Sequence, residues 1–443
     1  MDTTVRVNHP EDLCKVTGNG FGKLRYIRPI SESVKLHTEL FQSTGQFSST
    51  PQPASLSVAS QPQLLLPTSV KSIFQKNDWK GIQKLQQQTY NDLAPILNNL
   101  NNNPDHAWVH VRDETDPSQQ FYMAWDSSGN YVWCWCSAVK TSSDPFNPNI
   151  KLIAPTQYGI YSNTTSIAGV VSYNLGFKEI VPELVAASIL SHFICKVINK
   201  GLGFDSSDLT KMLDEAAVQA GCELEFTISP DILGAVCSCV MFSIAFIGNN
   251  YLFSWFNKKF LICLSVYNWD TTNDWQLPVQ SLSNAVNPGE APTNDLNINI
   301  AKQIPPGSNP FGNGVEVPSS LESQLRKTVE AAINYASLFY ISKSSYSSGC
   351  SFALKCTKNN SSSGFSYAFQ CLWVASNGHY IENVAQNPDS FLIKAGSHWV
   401  NSTAPLTTTV EGMPIRCYID ALTGGDAFNE HSYQVAVHID PSN

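Results

Sequence analysis

Charge is scarce in this chain. Asp, Glu, Lys and Arg supply 14% of its 443 residues, against about 25% in an ordinary soluble domain. What charge there is sums to −9. Residues 1–221 carry 19 acids against 17 bases, and residues 222–443 carry 17 against 10, so neither half has a basic face. Nucleic-acid binding rests on Lys and Arg neutralising phosphates. No nucleic-acid partner is therefore expected, nor a purely electrostatic hold on a membrane.

Motifs that carry chemistry are also missing. There is no G-x-S-x-G, no H-E-x-x-H and no dinucleotide fingerprint. The glycine-rich stretch from Val16 through Gly18, Gly20 and Gly22 to Lys23 has threonine at position 17, where a phosphate loop needs glycine. His106 and His110 share a face of an expected strand, with no third ligand in sight. The acids Asp113, Glu114 and Asp116 read as a solvated turn. Twelve cysteines are present. Cys134 with Cys136, and Cys237 with Cys239, are spaced C-x-C with no histidine at ligand spacing, so neither pair suggests a metal site. Most cysteines sit in apolar company and read as free and buried. A disulfide among Cys350, Cys356, Cys371 and Cys417 stays open for an oxidising compartment. The chain thus reads as non-enzymatic, with no catalytic residue, metal or cofactor. Met1 to Arg6 has no apolar core of a secretory signal. The expectation is a soluble cytosolic precursor, released to act on target membranes.

The sequence does hold one long apolar run. Residues 232–247 contain no charge and only two hydroxyls, Ser238 and Ser243. Gly248, Asn249 and Asn250 break the run. An aromatic patch follows, with Tyr251, Phe253, Trp255 and Phe256, closed by Lys258 and Lys259. The run is shorter than the ~20 residues of a bilayer-spanning helix and longer than the ~10–14 of a usual core helix. Two readings stand: a buried central element, or a membrane-active segment stored in a soluble form. Aromatic rings beside lysines suit the second, since such rings settle at headgroup depth and cations favour anionic lipid.

Around that run the pattern is mixed. Residues 1–67 read as an irregular arm or linker, rich in Ser, Gln and Pro after position 43. Residues 70–100 have helical period, and the stretch NNLNNNP stops them. Residues 106–139 read as β, with a glycine-bearing hairpin loop at 126–130. Pro182 opens a helix over 183–202 that Gly201 ends, and Asp205 to Asp208 opens another over 209–220. From Lys259 onward strands dominate, among them 260–267, 351–356, 365–374, 414–419 and 433–439. A helix over 321–336 interrupts them, opened by a Ser319-x-x-Glu322 capping box. The fold class expected is α+β, an N-terminal mixed region with apolar helices and a C-terminal antiparallel β-sandwich. The divisions expected are 1–67 (arm), 68–230 (helices and β-hairpins) and 231–443 (apolar helix, then sandwich).

At Lys258, Lys259, Phe260 and the strand that ends in Asn268, Trp269 and Asp270, the sequence resembles the actinoporin-like and aegerolysin-like cytolysins. Ile304-Pro305-Pro306-Gly307, the Gly/Ser-rich strands and the terminal run from Tyr433 to Asp440 extend the resemblance over 231–443. In actinoporins an amphipathic helix leaves a sandwich and enters the membrane, while exposed aromatics grip headgroups. The resemblance implies a membrane segment at Ile232, Leu233, Val236, Val240, Phe242, Ile244, Phe246 and Ile247. It implies lipid contact at Tyr251, Trp255, Trp269 and Trp275. In this chain the candidate helix is internal and more hydrophobic, and residues 1–230 have no counterpart. The expected function is that of a membrane-active, pore-forming protein, cytolytic or insecticidal and toxin-like, that works as a homo-oligomer with membrane lipid or a surface glycan as partner. The alternative is a non-enzymatic binding or structural module, lectin-like or a self-assembling coat or crystal protein.

Overall fold

The computed structural model describes residues 10, 13, 24–44, 52–58, 62–142, 150–200, 206–227, 260–287, 294–305, 308, 317–343, 349–423 and 432–442. The strands of the first half are β1 Leu24–Pro29, β2 Gln52–Val58, β3 Gln63–Leu66, β4 Val109–Asp113, β5 Gln120–Trp125, β6 Tyr131–Cys136, β7 Lys140–Thr141, β8 Leu152–Ser162, β9 Ile167–Phe177 and β10 Leu224–Thr227. Those of the second are β11 Leu261–Asn268, β12 Trp275–Ser283, β13 Ala285–Val286, β14 Asp295–Ile300, β15 Ala331–Ser342, β16 Cys350–Lys358, β17 Gly364–Cys371, β18 Gly378–Glu382, β19 Leu406–Val410, β20 Met413–Ile419 and β21 Ser432–Ile439. The helices are α1 Ile30–Thr44, α2 Thr68–Gln75, α3 Trp79–Asn102, α4 Pro104–Ala107, α5 Glu183–Lys200, α6 Ser206–Gln219, α7 Ser319–Thr328 and α8 Pro388–Ala395.

The class is mixed α+β with large antiparallel sheets. One sheet runs β1-β4-β5-β6-β8-β9-β3-β15-β11-β21-β20-β19, and a second runs β14-β12-β16-β17-β18. Most ladders are antiparallel; β11 with β21 and β10 with β2 are parallel. The centre of the long sheet is β3, which pairs β9 on one side and β15 on the other. The sequence reads that stretch as linker. Leu64, Leu65 and Leu66 are buried to 2% or less, because a strand covered on both faces is a short apolar run without alternation. The arm expected over 1–67 thus contains β1, α1, β2 and β3.

Strand β11 shows how the pleat divides the interior. Successive side chains point to opposite faces. Ile262, Leu264 and Val266 join a core shared with the second sheet. Leu261, Cys263 and Tyr267 join another core, with α3 and α5 residues such as Ile82, Leu93, Ile189 and Phe193. The second half diverges from the sequence reading at α7. Its helix stops at Thr328, and Ala331–Ser342 is a strand buried at every position. A fully apolar stretch satisfies a helical stripe and a two-sided strand equally, so Ile333 and Ala336 fitted both. The expected capping box does not form either. Pro318 is the N-cap and offers no side-chain bond. Gln119 takes that role from β4's far turn: its Oε1 accepts from Ser319 N–H and its Nε2 donates to Ser319 Oγ, both at 2.8 Å.

Candidate functional site

The connection from β17 to β18 is the residues 372–377, Leu-Trp-Val-Ala-Ser-Asn, with no charge among them. The sequence reads a strand through Val374; the structure ends it at Cys371. Trp373 is 43% exposed and Val374 91% exposed. Apolar side chains exposed singly are ordinary on a protein surface; here two stand next to one another. Among the described residues of the second half, they are the only two consecutive large apolar side chains that are both exposed.

The loop that carries them is braced. Leu372 N–H donates to Asn377 Oδ1 at 3.3 Å. Asn377 Nδ2 donates to the Ala421 carbonyl at 3.2 Å, and its backbone N–H to the Leu422 carbonyl at 2.7 Å. Asn401 Nδ2 donates to the carbonyls of Ser376 and Asn377 at 3.0 and 2.9 Å. Beneath, Gly349 lies so near β17's end that a Cβ there would fall 1.9 Å from the Cys371 carbonyl oxygen. Trp373 itself stands edge-on to Phe260, centroids 5.3 Å apart, and Phe260 leans on Tyr433. Val400, 37% exposed, joins the same end: it exchanges backbone bonds of 3.0 and 3.2 Å with His379.

Charge at the end of β18 away from the tip is internally neutralised. The Glu382 carboxylate accepts from the hydroxyl of Tyr380 and the amide of Gln386, and pairs with Lys394 Nζ at 2.5 Å. Burial would raise its pKa, but the bonds from Lys394, Tyr380 and Gln386 outweigh that and hold it below the ordinary value. Partial burial, then Glu382 itself, pushes the Tyr380 phenol up to about 12. The Tyr380 ring is stacked between Phe391 and His398, at 5.5 and 5.3 Å.

The site residues expected from the sequence fall elsewhere. Ile232, Leu233, Val236, Val240, Phe242, Ile244, Phe246 and Ile247, with Tyr251 and Trp255, lie outside the described residues. Trp269 and Trp275 are inside them, and both are 0% exposed. Trp269 Nε1–H donates to His438 Nδ1 at 3.0 Å, the two rings stacked 8° from parallel. Trp275 Nε1–H donates to Asp270 Oδ2 at 3.3 Å, its ring against Phe365. Both indoles have core partners for their one polar atom, so in this fold neither faces a headgroup. His106 sits in α4 and not on a strand, while His110 is buried between Ser33 Oγ at 3.0 Å and Gln120 Oε1 at 2.8 Å. Among the described residues no three His, Cys, Asp or Glu side chains converge as a metal site. No described helix is long and apolar enough to cross a membrane. Trp373 and Val374 were missed although their signal was present: an apolar pair immediately before Ala-Ser-Asn-Gly, a turn composition.

No protein-family model matches the chain, and no curated protein does. Among solved structures, the crystal structure of RahU protein in complex with TRIS molecule aligns with 40% of this chain and 93% of that chain at 11% identity, with a TM-score of 0.18. A likeness of that size carries no argument about fold or function.

Proposed function

We propose that the protein acts on membranes, with the second half serving as a sandwich-like attachment unit and loop 372–377 as its lipid contact. The observation that carries the reading is the Trp373–Val374 pair, projecting from a braced and uncharged loop. Trp belongs at the membrane–water boundary, where its ring is apolar and its N–H stays wet. A loop already rigid loses little freedom on binding.

The energy sets the mode of action. Burying an exposed valine is worth ~1.5 kcal/mol. The open part of Trp373, 43% of the side chain, amounts to roughly 60–110 Å² and ~2 kcal/mol. One tip therefore contributes about 3 kcal/mol, or ~150-fold in partition. That is a weak anchor alone. Several copies on one surface multiply it, which is why a homo-oligomer belongs to this reading. Insertion would fall to the apolar run 232–247, whose following chain enters the fold at Phe260, the residue on which Trp373 rests.

The test is vesicle co-sedimentation with parallel dye release, over neutral, anionic and sterol-containing lipid. The double substitution Trp373→Ser with Val374→Ser should lower partition about a hundredfold and abolish release. Val218→Ser, at another exposed apolar position, 64% open on α6, should change neither. A double variant that partitions like the wild type, or a wild type that binds no vesicle, sinks the proposal.

A further inference from the structure

The main paths of the two sheets end at β1, β19, β14 and β18. Three of those edges are blunted. β1 carries Arg25 and Arg28, and its register against β4 is broken by a bulge. β14 begins at Asp295, and its register against β12 is also broken. β18 ends at Glu382, and Val400 bridges it at His379 on the side away from β17. Charge, bulges and cover are how natural sheets keep an edge from pairing with another chain. β19, the far end of the long sheet, has none of these. Its sequence is Leu-Thr-Thr-Thr-Val, and residues 402–410 hold no charge. Its register against β20 is unbroken, and among the described residues no strand pairs its outer edge.

The backbone groups on that edge follow from the neighbouring ladder. Asp440 N–H donates to the Pro414 carbonyl at 2.9 Å, and Asp420 N–H to the Gln434 carbonyl at 3.1 Å. The even positions of β20 therefore turn their polar groups to β21, and the odd ones, Met413, Ile415 and Cys417, turn theirs to β19. Those odd positions oppose Val410, Thr408 and Leu406. By the same alternation Thr407 and Thr409 point N–H and C=O outward, away from the sheet. Both threonines are exposed. The edge is thus a short row of donors and acceptors facing water, on a strand rich in β-branched residues that suit a ladder.

We propose that β19 pairs with β19 of a second copy of this chain, antiparallel about a two-fold axis through Thr408. The segment is complementary to itself in that register. Thr407 meets Thr409 of the other copy, and each such pair exchanges both of its N–H···O bonds. Thr408 meets Thr408 at the axis. Leu406 meets Val410 on the face turned to the core that both residues join. Threonine pairs and aliphatic pairs directly opposite each other favour a ladder, and no like charges meet. Past its end, Glu411 stands against Pro405, so the charge there faces no second carboxylate. A two-fold contact of this kind closes at two copies. With a strand of 5 residues on each side it buries less than the ~800 Å² per partner of a lasting interface, which makes the pairing reversible on dilution. The proposal names a contact for the homo-oligomer of the lipid reading, but the pairing needs no lipid, so either can fail alone.

The experiment is sedimentation velocity on the full chain without lipid, from sub-micromolar to near-millimolar concentration. The mass should rise from that of one chain toward that of two. The double substitution Thr407→Lys with Thr409→Lys sets lysine against lysine at each bonded pair while leaving the bonds to β20 in place; it should weaken association about tenfold or more. Thr408→Cys supplies an independent readout. At the axis the two Cα atoms come to ~4.5 Å, within disulfide range. With glutathione disulfide as oxidant this variant should yield a covalent dimer that neither the wild type nor Thr407→Cys yields. A wild type that remains one chain at every concentration overturns the proposal. So does association that the double lysine variant leaves unchanged, a Thr408→Cys protein that never cross-links, or a Thr407→Cys protein that cross-links as readily.

Discussion

Lowering the pH from 7 to 5 probes the polar interior of the fold, because four histidines are folded into it without charge. His438 is 0% exposed, His379 0%, His192 2% and His110 7%. Burial, the first cause in each case, lowers His110, His192 and His379 to about 4 and His438 to about 3. The His438 geometry shows why. Its Nδ1 already accepts the Trp269 indole N–H at 3.0 Å, and its Nε2–H faces Asn77 Oδ1 at 3.0 Å. A second ring proton would point at another donor.

The sign follows from linkage. In the unfolded chain each histidine titrates near 6.5. Below that pH the unfolded state binds protons that the folded state refuses, so stability falls as pH falls. The loss begins near 6.5 and ends near 3–4. At pH 5 each group has moved ~1.4 units of that span, worth about 2 kcal/mol, and the four together come to about 7 kcal/mol. Typical domain stability is ~5–15 kcal/mol, so acid alone should bring the fold near its midpoint. Urea unfolding curves between pH 7 and 5, followed by tryptophan fluorescence, give the proton uptake as the slope of stability with pH. About three and a half protons are expected around pH 5.5, a slope of ~5 kcal/mol per unit. His192→Gln should remove nearly one proton from that count. A slope below ~1.4 kcal/mol per unit, one proton in all, would refute the reasoning.

Two more expectations concern the brace of loop 372–377 and the buried thiols. Asn377→Ala removes the acceptor of Leu372 N–H and the donor to the Ala421 carbonyl; it should cost ~2–4 kcal/mol and speed amide exchange at Leu372. A change below ~0.5 kcal/mol would show that the loop is braced by other means. The nine described cysteines are all buried, and burial raises the thiols of Cys195 and Cys222 to about 12 and drives Cys356, Cys371 and Cys417 further up. Since thiolate is the reactive form, Ellman's reagent should find at most Cys14, Cys237 and Cys239 reactive in the native protein and all twelve in denaturant. A fourth fast thiol would contradict the burial.

Local signals in the sequence located what depends on local physics. The α3 stripe, the Asp126–Asn130 hairpin loop, the Pro182 start of α5 and the alternation of β21 were all legible, because periodicity and turn chemistry decide them. What failed depends on partners far along the chain. β3 is a strand only because β9 and β15 close on both its edges. Residues 331–336 leave the helix because that register buries them between β3 and β11. Trp269 was assigned to a membrane surface from the resemblance to cytolysins; its partner in the fold, His438, stands 169 residues away. Composition does not distinguish an indole whose N–H is met in the core from one that is met by water.

The acid prediction and the lipid reading bear on one another through two of these histidines. His379 holds the root of the tip: it bridges Val400 by backbone bonds and meets the Tyr367 hydroxyl at 3.4 Å, two residues from Asn377. His438 ties β21 to Asn77, a residue in the left-handed region at φ 50° that immediately precedes the Asp78 cap of α3; Tyr267, Trp269 and Tyr418 pack around it and Arg416 faces it. Protonation therefore strikes the root of loop 372–377 and the start of α3 together. A membrane-active chain has to stay closed in solution and still open on its target. Here the long sheet is continuous across both halves. A loss of about 7 kcal/mol raises the open population roughly 10⁵-fold, more than any single loop contact supplies. If loop 372–377 attaches the chain to lipid, dye release should be far steeper at pH 5.5 than attachment is, since attachment draws on ~3 kcal/mol of exposed side chain and opening on the buried histidines.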